Sequence, residues 1–179
     1  MLDLKTMYDE DPVRDIIKAH FDQRDFQTAK ETKDFYPDKQ SPYSHYFGAI
    51  DLDCISTLLR QRWIIDVKAE NRNDNRVTNF QVGLTQLIYK MRPPDLFPYH
   101  TVIYALALPG TEKYENRCRA MPLWPRQQLQ VHLMLIQVDR SIKLLCPPGC
   151  TCQTAWQNAH LATHQVSEDE YDWDWLEVK

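Results

Sequence analysis

Two charged residues interrupt an apolar run in this chain, Trp63-Ile64-Ile65-Asp66-Val67-Lys68. An ionised group loses hydration inside a protein, so charges within a strand-like run require a partner or a chemical use. The strand period of two puts Asp66 and Lys68 on one face, close together. A dozen residues upstream, Gly48-Ala49-Ile50-Asp51-Leu52-Asp53 carries another acid, Asp51. If the two stretches are neighbouring strands, Asp51 converges on the same end of the sheet. Carboxylates from two strands suit one or two Mg²⁺ ions, which stabilise phosphoryl charge and lower the pKa of bound water. A lysine beside them orients the water or steadies the phosphate as a point charge. The chemistry suggested is phosphodiester hydrolysis. The competing reading is an ordinary surface ion pair on an edge strand.

The flanking sequence predicts the elements that position these groups. Residues 11–23 form a helix, with Pro12 at a first-turn position and Val13, Ile16, Ile17 and Phe21 at helical spacing. Strands follow at Phe26–Tyr36, Tyr46–Ile55 and Arg62–Lys68, with a turn over Ser56–Gln61 and a polar loop over Asn71–Asn75. Thr78 is the expected cap of a second helix, whose apolar stripe is Phe80, Leu84, Leu87, Ile88 and Met91 and which Arg92-Pro93-Pro94 stops. Tyr99–Leu108 has the continuous apolar pattern of a strand buried on both faces. A short helix over Thr111–Arg119, broken near Pro122 and Pro125, leads to a hairpin of Gln130–Val138 and Ser141–Leu145 joined at Asp139-Arg140. A helix over Gln153–Gln165 and an acidic aromatic tail complete the reading, and the class is mixed α/β.

In this order the pattern resembles the PD-(D/E)XK nuclease superfamily, including its RecB-like, resolvase-like and XisH-like members. The resemblance spans roughly residues 11–108 and the element order α-β-β-β-α-β. Asp51, in Gly48-Ala49-Ile50-Asp51, matches the family's first acidic position, and Asp66 and Lys68 match its acid-x-Lys pair. Gly83-Leu84-Thr85-Gln86-Leu87-Ile88-Tyr89 looks like the family's glutamine-bearing helix. The resemblance implies a restriction-endonuclease-like core, with a central mixed sheet flanked by helices and extended by the C-terminal hairpin and helix. It implies Mg²⁺ or Mn²⁺ held by Asp51 and Asp66, Lys68 as the catalytic lysine, and DNA as substrate. Gln86 takes the glutamine position by motif, with Gln81, at the edge of the apolar stripe, as the alternative. Glu10 and Asp15 are the candidates for the family's first-helix glutamate. Two active sites cutting two strands would make a homodimer.

A second conspicuous feature is Cys146-Pro147-Pro148-Gly149-Cys150-Thr151-Cys152, followed by His160 and His164 one helical turn apart. Cys146, Cys150, Cys152, His160 and His164 could supply four ligands to zinc. An iron–sulfur cluster ranks below zinc, because its fourth cysteine would have to be Cys54, inside the core. The alternative is a cysteine-bearing turn with no metal.

Composition bounds the remaining readings. The 179 residues suit one domain, expected over residues 1–165 with its core at about 11–108 and an extension at 109–165. There is no eighteen-residue apolar run for a membrane span, and Met1–Pro12 is polar and acidic rather than signal-like. Five cysteines without an export signal suggest a cytoplasmic protein. The net charge of −4 is concentrated in the tail: residues 165–179 hold six acids and one lysine, leaving +1 on the body. The tail, 166–179, is expected to be solvated, with Trp173 and Trp175 available to a protein partner. Three functions therefore compete. The first is a Mg²⁺-dependent DNA endonuclease of restriction, recombination, repair or mobile-element biology. The second is an inactive accessory protein on the same scaffold. The third, ranked lowest, is a zinc hydrolase built on His160 and His164.

Overall fold

The computed structural model describes residues 9–29, 50–56, 58–70, 76–91, 101–147 and 176–178. Helix α1 spans Glu10–Asp22, followed by strands β1 (Gln27–Ala29), β2 (Leu52–Ser56) and β3 (Gln61–Val67). Helix α2 (Arg76–Lys90), strand β4 (Thr101–Pro109), helices α3 (Glu112–Ala120) and α4 (Leu123–Leu129), and strands β5 (Val131–Ile136), β6 (Ile142–Leu145) and β7 (Leu176–Val178) follow. The seven strands make one mixed sheet in the order β1-β2-β3-β4-β5-β6-β7. The strands β3, β4 and β5 run parallel, while the remaining neighbouring pairs are antiparallel. The parallel steps are those bridged by helices, as a crossover requires.

Helices pack on both faces of the sheet. On one face Val13, Ile16, Ile17 and Phe21 of α1 meet Leu52, Cys54, Trp63, Ile65 and Val67. On the other, Phe80 and Leu87 of α2 and Tyr114 and Cys118 of α3 meet Ile64, Leu106, Leu108, Leu133 and Leu135. Alternate residues of β3 therefore serve opposite cores, and the whole strand is buried. That placement excludes the edge-strand reading of Asp66 and Lys68, because β3 lies between β2 and β4.

Several local expectations shift. Helix α2 starts at Arg76, so Thr78 sits within its first turn and is not its cap. Over residues 79–90 its buried residues are Phe80, Gly83, Leu87 and Lys90, while Leu84 is half-buried, as is Met91 just past the helix, and Ile88 is exposed. The buried stripe is thus rotated toward Gly83 and Lys90, the small residue admitting the sheet and the lysine finding a buried partner. The chain does break between α3 and α4 at Met121-Pro122, but Pro125 lies inside α4. Proline is tolerated there because first-turn N–H groups have no intrahelical acceptor. The hairpin β5–β6 forms as expected, with the Gln137 N–H donating to Ser141 O across its turn (2.8 Å).

The tail differs most. Leu176–Val178 adds to the sheet as an antiparallel neighbour of β6, pairing Ile142 with Val178 and Leu144 with Leu176. Backbone groups on the β6 edge need partners, and alternating apolar residues at 176 and 178 suit a strand. The expected loop at 71–75, the helix over 153–165 and the extensions of the first two strands into 30–49 lie outside the described residues. No described helix is long and apolar enough to cross a membrane.

Candidate functional site

The antiparallel register of β2 and β3 pairs Leu52 with Ile65. One step further along that register, Asp51 faces Asp66 across the two strands, on the same side of the sheet. Asp51 accepts a hydrogen bond from the Val67 N–H (2.7 Å), which ties the start of β2 to the end of β3. Lys68 follows the last residue of β3, and its own N–H donates to Ala107 O (2.9 Å), holding it in line with β4. Its ammonium lies 2.9 Å from Asp66 Oδ2, 4.0 Å from Asp51 Oδ2 and 3.9 Å from Glu10 Oε1. The three residues singled out by sequence therefore converge at one end of the sheet.

Two helix ends complete the cluster. Glu10 is in the first turn of α1 and reaches Lys68, whereas Asp15 is exposed on that helix. Of the two acids that the sequence left open, Glu10 is the one that reaches the cluster. Arg14, one turn further, stands 3.9 Å from Asp51 Oδ1. From the other face Lys90, the last residue of α2, donates to Asp66 Oδ1. An acid at a helix start and a lysine at a helix end both match the local dipole. Sequence reading missed Arg14 and Lys90. The available signal was Gly83-x-x-x-Leu87-x-x-Lys90, where a glycine marks a helix face pressed on the sheet and Lys90 falls on it.

Exposure grades the cluster from core to solvent. Asp66 is 1% exposed, the Lys90 side chain 8%, the Lys68 side chain 13% and Glu10 41%. Burial is the largest influence on Asp51 and pushes its pKa up. The Val67 N–H pulls it down, Asp66 raises it again, and Lys90 and Lys68 lower it. Glu10 is also raised, first by burial, with Lys68 opposing. The sign of the stability effect follows. An acid whose folded pKa is raised binds more protons folded than unfolded, so its charged form weakens the fold above that pKa. Asp51→Asn keeps an acceptor for the Val67 N–H and removes the charge. Its urea midpoint is expected to exceed wild type at neutral pH, and the gain should disappear as pH falls below the ordinary aspartate range. An equal gain at low pH would contradict this account.

Helix α2 also fixes the stem of Lys68. A Cβ on Gly83 would lie 2.7 Å from Leu106 Cδ1 and 3.0 Å from Lys68 Cγ. Alanine there gains about 1 kcal/mol in helix propensity and loses about 1–3 kcal/mol to overpacking. Gly83→Ala is accordingly expected to lower stability by about 1 kcal/mol in urea denaturation. Gly83→Val, which adds two more methyl groups, should lose more.

Both glutamines carried from the sequence, Gln81 and Gln86, are exposed on α2. Among the described residues no hydrogen bond joins either to the cluster. Of the candidate zinc ligands only Cys146 is described; it is half-buried just after β6. Cys150, Cys152, His160 and His164 lie outside the described residues. Cys54 is buried in the α1-side core, and burial pushes its thiol well above the ordinary range, the condition of an unreactive cysteine.

The donor set fits a hard divalent cation. Three carboxylates supply oxygen, and buried Asp66 Oδ2 receives no directed hydrogen bond, its contact with Lys68 being an ion pair alone. As placed, no three acids, histidines or cysteines among the described residues could hold a metal ion. The Lys68 ammonium occupies the middle of the cluster, within 4.0 Å of all three carboxylates. A cation entering there would take over contacts that Lys68 now makes. No family model, curated protein or solved structure matches this chain.

Proposed function

We propose that the chain is a metal-dependent endodeoxyribonuclease with a PD-(D/E)XK-type core. The supporting observation is the convergence of Asp51, Asp66 and Lys68 at one sheet end, with Glu10 closing it from α1. Asp51 and Asp66 would hold Mg²⁺ or Mn²⁺, with Glu10 at the solvent side. The cation would stabilise phosphoryl charge and lower the pKa of its water. The residues of the chain do the rest. Burial of Asp66 beneath two ammonium groups fixes its carboxylate before substrate arrives, so little reorganisation is needed. Lys68, freed from the centre of the cluster, holds the attacking water or the scissile phosphate. The Val67 N–H keeps Asp51 aimed at that space. The ordering α-β-β-β-α-β of the first six elements supports the same core.

One observation favours a second reading. Asp66 already has an ammonium at each oxygen, so its charge is compensated as it stands. An accessory protein that uses this scaffold without cleavage, in a DNA-processing or defence complex, would need no more. Supercoiled plasmid incubated with the purified chain and Mg²⁺ or Mn²⁺ separates the two. Nicking that chelation stops is expected for the nuclease, and intact plasmid at every metal concentration for the accessory protein.

A further inference from the structure

Asp66 is shared between two lysines that differ in their freedom to leave. Lys90 ends α2 on its buried face and contacts Oδ1; Lys68 contacts Oδ2 and two more exposed carboxylates. Withdrawing Lys90 from Asp66 would strand a buried ammonium, whose lost hydration nothing would then offset. Withdrawing Lys68 leads its ammonium toward Glu10 and solvent. One oxygen of Asp66 is therefore available to an entering cation and the other is not.

Charge leads to the same count. The carboxylates of Glu10, Asp51 and Asp66, with Asp11 that pairs with Arg14, outnumber the cations of Arg14, Lys68 and Lys90 by one. One divalent ion leaves a surplus of one positive charge, which a DNA phosphate offsets. A second raises the surplus to three in a site that is largely out of water, where unpaired charge is expensive.

Resting on the metal-dependent reading above, we infer that Lys90 stands in for a second cation, so that the site takes a single divalent ion. Its role is positioning: it holds Asp66 through Oδ1 and leaves Oδ2 as the one ligand atom.

Titration calorimetry with Mn²⁺, with Asp66→Asn as the blank for ions bound elsewhere, counts the ions directly. Wild type is expected to bind one Mn²⁺ per chain above the blank. Lys90→Met, which frees Oδ1 and removes a positive charge, is expected to bind two. Two ions in wild type, or one in a folded Lys90→Met, would overturn the inference while leaving a metal-dependent site standing. No Mn²⁺ above the blank in wild type would overturn both. The wild-type count tests the proposal even if Lys90→Met fails to fold.

Discussion

Lys68→Ala is expected to reduce metal-dependent plasmid nicking by about a hundredfold to a thousandfold, the loss seen when one preorganised charge-stabilising group is removed. The fold should survive, because the Lys68 side chain is less deeply buried than that of Lys90 and Asp66 keeps Lys90. Melting curves recorded beside the nicking assay separate lost chemistry from lost structure. Asp66→Ala is the less informative partner variant. It strands the buried Lys90 ammonium, so about 3–5 kcal/mol of stability should go with the activity. Asp66→Asn retains an acceptor for Lys90 and is the better test of the carboxylate. Lys68→Ala cutting as fast as wild type would remove the lysine from the mechanism.

An equally large stability effect is expected away from that cluster. Arg62 on β3 donates from Nε to Asp53 Oδ1 (2.9 Å) and from a terminal nitrogen to Asp53 Oδ2, and both residues are buried. Burial is the main influence on Asp53 and raises its pKa, with the Arg62 hydrogen bonds and charge opposing. The forked pairing offsets dehydration that neither partner could bear alone. Arg62→Met should therefore cost about 3–5 kcal/mol, because it leaves the Asp53 carboxylate buried without its arginine. The double variant Asp53→Leu/Arg62→Met should recover most of that loss, since well-packed apolar residues often replace a buried ion pair at no net cost. Urea denaturation of the two singles and the double measures the coupling. A double variant no more stable than Arg62→Met would show that packing, rather than the stranded charge, sets the cost.

Asp66 and Lys68 were legible because charge inside an apolar run violates the ordinary partition of residues. Asp51 was legible because a strand register carries it to the same end. The helix α1 face and the buried strand β4 followed from spacing alone, and all four expected α1 core positions are buried. The face of α2 was not legible. Hydropathy counts Ile88 as apolar and Lys90 as polar, but the sheet accepts Gly83 because it is small and Lys90 because Asp66 awaits it. Complementary charge outweighs side-chain hydropathy there. Choosing Glu10 over Asp15 needed the angle between α1 and the sheet, which no local pattern carries. The terminal strand was hidden for a similar reason: its acids suggest solvation, whereas an unpaired β6 edge offers it hydrogen bonds. That edge is visible only once the sheet is assembled.

The sheet order repeats the chain order without a single interchange. Each strand joins the edge left by the one before it, so the sheet can grow by addition at one side as synthesis proceeds. The antiparallel β2–β3 and β5–β6 pairs close small loops and favour fast assembly, whereas the parallel steps on either side of β4 close longer ones. The cluster residues run from Glu10 to Lys90, which places them all ahead of β4. An emerging chain could bring them together early, with β4 sealing the open flank of β3. During that interval Asp66 would sit on a temporary edge strand, and its charge would discourage a second nascent chain from pairing there.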